Sequence, residues 1–147
     1  MDIVFKEKLK LPKQEKESKS ETLCTEVAEL VTELLNAAVS FHKLHLKVTG
    51  VGSFAKHKAT NEVYDALPSH GDDVAEQFQG AYEELLKYNE KAPVVLMTTK
   101  EGLDYANQLK EMITKLQSKM PYSEIINILD ETKSSLNSVK YKLLFLQ

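Results

Sequence analysis

Apolar residues recur at spacings of three and four along the first third of the chain. The stripe starts at Leu23 and ends at Val48, and it predicts one long helix over residues 19–49. Ser18 and Glu21 have the spacing of a capping box, in which a hydroxyl and a carboxylate satisfy the first free N–H groups of a helix. The pattern therefore predicts that the first helix starts at this pair.

A second helix is predicted over residues 54–88. Gly50 closes the first helix, and Ser53 is a candidate N-cap for the second. Pro68 lies inside this segment and lacks a backbone N–H, so a kink is expected near Tyr64. We interpret the segment as one kinked helix rather than as two helices.

The second half of the chain repeats the helical pattern after a connection. Residues 89–97 read as that connection, and Thr98 and Glu101 form a second capping-box candidate. A third helix is predicted to run to residue 119 and a fourth to cover residues 122–145. Two pairs of long helices predict an all-α, four-helix bundle.

Composition narrows the class of protein. The chain has 147 residues, a size that favours one domain, and its single cysteine excludes an internal disulfide framework. No apolar run is long enough to cross a membrane, and the start lacks the apolar segment of a signal peptide. All 19 basic residues are lysines, which disfavours sequence-specific reading of DNA. We expect a cytoplasmic protein, or a virion protein if a virus encodes it.

Residues 1–18 differ from the bundle predicted over residues 19–147. The first 20 residues hold six lysines and four acids, while the whole chain has a net charge of −3. We interpret residues 1–18 as a flexible, lysine-rich arm. It is either a solvated tail or a segment that binds DNA phosphates weakly and without sequence preference.

Candidate metal ligands cluster in one part of the chain. All four histidines lie between residues 42 and 70. A single histidine on an apolar stripe, such as His45, is more often a core residue than a ligand. Asp72 and Glu76 lie four residues apart on one helix face, where their like charges repel unless a cation is bound.

The spacing of these residues suggests a site shared between subunits. His57, Asn61, Asp72 and Glu76 lie on roughly one side of the second helix. They cannot bind one ion within a subunit, because 15 residues of helix span about 22 Å. A second copy that packs antiparallel would bring its His45 and His57 against these carboxylates. The sequence therefore predicts a dimer or a larger homo-oligomer.

Several motifs resemble the signature of the Dps mini-ferritins, the DNA-binding proteins from starved cells. They are His45-Leu-Lys-Val-Thr-Gly50, Phe54-x-x-His57, Asn61-x-x-Tyr64 and Asp72-x-x-x-Glu76. The resemblance implies a ferritin-like bundle, hollow dodecamers and oxidation of iron(II) by peroxide. It implies that His45 and His57 bind iron from one subunit and that Asp72 and Glu76 bind it from the partner. Imidazole and carboxylate ligands suit iron, and zinc could take its place.

The chain departs from the family at three points. Asn61 stands where the family has an aspartate, so one negative charge is lost and Asn61 is at best a weak ligand. Leu46 replaces a tryptophan, and the short connection lacks the family's extra helix. These departures keep a second hypothesis open: a bundle with weakened ferroxidase activity that serves a structural or interaction role in a larger assembly, such as a viral particle. An unrelated helical bundle is a third.

Overall fold

The chain folds into four α-helices and no strand within residues 13–146, the part that the computed structural model describes. Within this range, side chains are described for residue 17 and for residues 19–146. The helices are α1 (Lys13–His45), α2 (Ser53–Tyr82), α3 (Thr99–Gln117) and α4 (Ser123–Phe145). The prediction of an all-α four-helix bundle is confirmed.

Two predicted helix starts are wrong. Helix α1 begins at Lys13, six residues before the predicted start, so Ser18 lies inside the helix and does not cap it. The N-cap of α2 is Gly52, with no side-chain hydrogen bond, instead of Ser53. Residues 13–18 of the predicted flexible arm are therefore helical, and residues 1–12 lie outside the described residues.

The predicted cap of α3 is confirmed. Thr98 Oγ1 accepts a hydrogen bond from the Glu101 N–H at 3.2 Å, and Glu101 Oε2 accepts one from the Met97 N–H at 2.8 Å. The first bond satisfies a donor that a helix start leaves free, and the second holds the residue before the N-cap.

Helix α2 is continuous through Pro68, as predicted, but it ends earlier than expected. It stops at Tyr82, and Glu83 takes a left-handed conformation with φ of 54°. The connection to α3 therefore covers residues 83–98 and is longer than the predicted residues 89–97.

The four helices pack side by side around the core, and α1 and α4 lie diagonally opposite each other. Helix α1 packs against α2 and α3, and α4 packs against the same two helices. The bond between His70 and Ser135 and the ion pair between Lys142 and Glu62 show that α2 and α4 are antiparallel. Because α1 and α2 are joined by a short turn, and so are α3 and α4, the single long crossover lies between α2 and α3.

The crossover is fixed along the outside of α1. Asn36 Nδ2 donates to the Lys91 carbonyl at 2.8 Å, and Ser40 Oγ donates to the Val94 carbonyl at 2.6 Å. The buried Glu33 carboxylate pairs with the Lys91 ammonium and accepts a hydrogen bond from the Tyr105 hydroxyl at 2.9 Å. The bonds of Ser40 and Glu33 satisfy side chains that would otherwise be buried without a partner.

The core occupies the space between the four helices and begins at Leu23 on α1. Its largest fully buried side chains include Phe41, Phe78, Leu34, Leu67, Leu109, Ile113, Ile125 and Leu136. Burial of each contributes about 1.5–3 kcal/mol. Among residues 13–146, no helix combines the length and the apolar character that a membrane crossing requires.

Candidate metal-binding site

His45 and His57 lie together where α1 ends and α2 begins. Their rings stack with centroids 3.4 Å apart and an interplanar angle of 28°. His45 Nδ1 lies 2.8 Å from the His57 carbonyl oxygen, and His57 Nδ1 lies 3.2 Å from the His45 carbonyl oxygen. The two residues are therefore held by a reciprocal pair of side-chain to backbone hydrogen bonds.

This pairing fixes which nitrogen of each ring is free. A carbonyl oxygen only accepts hydrogen bonds, so both Nδ1 atoms carry a proton, and each neutral ring keeps its lone pair on Nε2. Histidines that bind metals usually donate the other ring N–H to a carbonyl or carboxylate in this way. The local chemistry therefore suits binding of a metal through two Nε2 atoms.

A tight turn brings the two histidines together. Gly50 and Gly52 take positive φ angles of 86° and 73°, which residues with a Cβ rarely adopt. The Ser53 N–H donates to the Gly50 carbonyl at 3.1 Å and closes the turn. His45 is 7% exposed, whereas His57 is exposed, so only one of the two rings lies at the surface.

A network beside the histidines involves Tyr64 and Asn61. The Tyr64 ring stacks on His42 at 4.0 Å and meets the edge of His45 at 5.2 Å. Its hydroxyl donates to Asn61 Oδ1 at 2.7 Å, and Asn61 Nδ2 donates to Asp65 Oδ2 at 2.7 Å. Both ends of the Asn61 amide are therefore engaged before any metal binds.

Asp72 and Glu76 lie away from the histidines on the same helix. Both side chains are exposed, and neither has an ion pair or hydrogen-bond partner within the described residues. His57 and Asp72 are 15 residues apart, or about 22 Å along the helix axis. Among residues 13–146 no group of three or more His, Cys, Asp or Glu side chains is placed to hold a metal ion. One chain thus brings the two histidines together but not the two carboxylates with them.

The candidate ligands share a surface with exposed apolar side chains, which we name the α1–α2 face. It holds Leu35 and Val39 on α1 and Leu46 in the turn that follows α1. On α2, Phe54 and Asp72 are 18 residues apart and so share one side of the helix. Exposed apolar residues grouped with unpaired charges are typical of a surface that a partner covers.

Sequence reasoning missed Thr60, and it noted Tyr64 and Asp65 without predicting their hydrogen bonds to Asn61. Thr60 Oγ1 lies 3.4 Å from His45 Nδ1 and donates to backbone carbonyls one turn earlier. The one available signal was the spacing of Asn61, Tyr64 and Asp65, which at three and four residues places them on one helix face.

His70, the remaining histidine, does not join the site. Its Nε2 lies 3.1 Å from Ser135 Oγ, between α2 and α4. It is 13 residues from His57 along α2, or about 20 Å. We interpret this contact as part of the packing between the two helices.

Comparison with known proteins places the chain in a family. The sequence profile of DUF5856, a family of unknown function, matches residues 45–143. The chain belongs to this family. No curated protein and no solved structure matches it. The matched region begins at His45 and contains every candidate ligand, and the family's description carries no activity.

Proposed function

We propose that this DUF5856 protein binds iron(II) at a site shared by two subunits and oxidises it, in the manner of the Dps-type mini-ferritins. The observation that carries the proposal is the reciprocal bonding of His45 and His57, which uses both Nδ1 atoms and leaves both Nε2 atoms outside that bonding. Peroxide is the proposed oxidant. Iron is the substrate, and zinc is the ion that the same ligands would also accept.

The arrangement of the helices supports a ferritin-like reading. Four helices with one long crossover between the second and the third are the connectivity of ferritin-like bundles. The candidate ligands lie on two adjacent helices, α1 and α2, as a site at a subunit interface along these helices requires.

The second half of the proposed site is supplied by a partner subunit. Asp72 and Glu76 are exposed and unpaired among the described residues, and the repulsion between them would fall if a cation bound both. An antiparallel copy on the α1–α2 face would cover the exposed apolar side chains and bring these carboxylates to His45 and His57. We propose a dimer as the smallest functional unit, with a dodecamer as a possible assembly.

Asn61 weakens the proposed oxidation. Its amide adds no negative charge, and its Oδ1 already accepts a hydrogen bond from Tyr64. Two divalent ions in one site repel each other, and anionic ligands offset that repulsion. We therefore propose that one metal per site binds well and that the second binds poorly.

A second candidate function is a structural or interaction role in a larger assembly, which could be a viral particle. It is favoured by the engaged amide of Asn61 and by the non-helical crossover over residues 83–98. Under this hypothesis the α1–α2 face binds a partner without metal. For DNA, we propose weak and salt-sensitive binding at most, because the arm carries few net charges.

Anaerobic calorimetric titration with iron(II) and with cobalt(II) tests the proposal. We expect binding by the wild type and a loss of about tenfold or more in affinity for His57→Ala and for Glu76→Ala. Asp73→Ala is the matched control, because Asp73 is an exposed acid beside Asp72 that is outside the ligand set. Equal binding by all four proteins would contradict the ligand assignment and favour the structural role.

A further inference from the structure

A second cavity lies at the opposite end of the bundle from the histidine pair. It forms where the start of α1, the end of α2 and the turn between α3 and α4 meet, and its volume is about 770 Å³. Helix α1 rises about 33 Å from Leu23, beside this cavity, to His45. Pockets that bind small molecules have volumes of about 300–1,000 Å³. The cavity is therefore large enough for a ligand and separate from the candidate metal site.

One wall of the cavity is apolar and largely aromatic. Leu23, Tyr82, Pro121 and Tyr122 line it. The rings of Tyr82 and Tyr122 meet edge to face at 5.3 Å, and Phe78 stacks on Tyr82 from the core side at 4.3 Å. Burial raises the pKa of Tyr82, so its phenol stays neutral at physiological pH. This wall offers a fixed surface for an aliphatic or aromatic group.

The charged groups of the lining are all positive. Lys19 and Lys119 line the cavity together with two hydroxyl side chains, and no carboxylate lines it among the side chains that the structure describes. Lys119 Nζ lies 2.5 Å from Glu26 Oε1, outside the lining, whereas Lys19 has no ion-pair partner among the described residues. An apolar wall with ammonium groups beside it is complementary to a molecule with an apolar body and one negative charge.

We propose that this cavity binds an amphipathic carboxylate, with its hydrocarbon body against Tyr82 and Tyr122 and its carboxylate near Lys19 and Lys119. The apolar body supplies most of the affinity through burial. The lysines select the anion over neutral and cationic molecules of the same length.

Calorimetric titration of the full-length protein tests this selection with three probes of equal chain length: decanoate, 1-decanol and decylamine. A parallel titration with 2-naphthoate distinguishes an aromatic from an aliphatic preference. We expect decanoate to bind more tightly than decanol, and decylamine to bind most weakly. Decylamine binding as tightly as decanoate, or no heat with any carboxylate at millimolar concentration, would overturn the proposal.

Substitutions distinguish the contribution of the two lysines from that of the apolar wall. Lys19→Gln/Lys119→Gln should weaken decanoate about five- to tenfold and leave decanol unchanged, because each exposed ammonium contributes modestly. Tyr122→Ala should weaken both probes. The control Lys110→Gln/Lys115→Gln removes two charges from α3 outside the cavity and should change neither.

Circular dichroism melts of each variant and light scattering at saturation complete the test. Every variant used must melt cooperatively, and if Tyr122→Ala does not fold, Tyr122→Leu replaces it. Unchanged decanoate affinity in the folded double-lysine variant would overturn the proposal. So would a change in native mass on decanoate binding, because it would assign the cavity to a subunit contact.

Discussion

The Tyr64 hydroxyl donates a hydrogen bond to Asn61 Oδ1 at 2.7 Å, and this contact sets the orientation of the Asn61 amide. With Oδ1 fixed by Tyr64, the amide nitrogen points at Asp65 Oδ2, 2.7 Å away. An asparagine is the residue that satisfies both neighbours at once, since it offers an acceptor and a donor. The departure from the Dps pattern at position 61 is thus built into the surrounding network.

Asn61→Asp should destabilise the metal-free protein and strengthen metal binding. The new carboxylate still accepts a hydrogen bond from the Tyr64 hydroxyl, but it faces Asp65 with a like charge and no donor, at a cost of about 1 kcal/mol. A bound cation removes this repulsion, so second-metal occupancy and peroxide-driven oxidation should both rise. Thermal melts with and without cobalt(II), and stopped-flow growth of iron(III) absorbance at matched iron loading, measure these effects.

The control for this prediction is Asn61→Asp/Asp65→Asn, which reverses the pair and restores a donor between the two side chains. It should recover the metal-free stability of the wild type. If Asn61→Asp oxidises iron no faster and binds no more metal, position 61 is outside the site and the structural role becomes the better account.

Tyr105→Phe should lower the free energy of unfolding by about 1–3 kcal/mol. Glu33 is buried, and Tyr105 is the donor to its Oε2, so the variant leaves a carboxylate oxygen without its partner. The same burial and hydrogen bond raise the pKa of the Tyr105 phenol. Urea unfolding measures the change, and Tyr141→Phe, on an exposed ring, is the control that should change little. Equal stability of the two variants would show that Glu33 is satisfied without Tyr105.

Gly80→Ala and Gly102→Ala should have opposite effects, although both glycines lie inside helices. A Cβ on Gly80 meets nothing within 4 Å, so the gain in helix propensity should stabilise the protein by about 0.5–1 kcal/mol. A Cβ on Gly102 would lie 2.9 Å from Leu44 Cδ2 and 3.4 Å from Phe41 Cε1. Displacing core side chains costs about 1–3 kcal/mol and cancels or exceeds that gain. Denaturant midpoints that rise equally in both variants would show that the α1–α3 contact is looser than described.

Cross-linking tests the proposed dimer. In an antiparallel pair on the α1–α2 face, the two-fold axis would pass near the middle of α2, so Asp65 would lie close to its own copy. Asp65→Cys in a Cys24→Ser background should therefore give a covalent dimer with a short bis-maleimide. The control Asp104→Cys, on an exposed position of α3, should stay monomeric in the same reaction. If only Asp104→Cys formed covalent dimers, the subunit interface would lie on another face of the bundle.

The helices could be predicted from the sequence because each has an apolar stripe that faces the core. The start of α1 could not, since residues 13–22 have no such stripe and are helical through the propensity of Lys, Glu and Gln. The end of α2 was predicted late because Leu85 and Tyr88 continue the pattern, yet both are exposed in the connection. Periodicity reports which residues are apolar but not which side chains become buried.

The residues of the candidate site could be predicted from the sequence, but their contacts with one another could not. Spacing placed His57 and Asn61 on one side of α2, and the structure confirms that one helix carries both. The mutual bonding of His45 and His57 depends on the turn that Gly50 and Gly52 form, and the position of Tyr64 depends on the packing of α1 against α2. Neither is encoded in residue spacing, and the metal itself stays a prediction.

Subunit mixing tests the shared site most directly. His57→Ala lacks a histidine but keeps both carboxylates, and Asp72→Ala/Glu76→Ala lacks the carboxylates but keeps both histidines. Each protein alone should bind cobalt(II) weakly. After the two are unfolded together and refolded at equal amounts, mixed dimers carry one complete site each, so tight binding should return to about a quarter of the wild-type capacity. Tight binding that stays absent after mixing, in refolded dimers that form normally, would contradict a site made from the histidines of one subunit and the carboxylates of its partner.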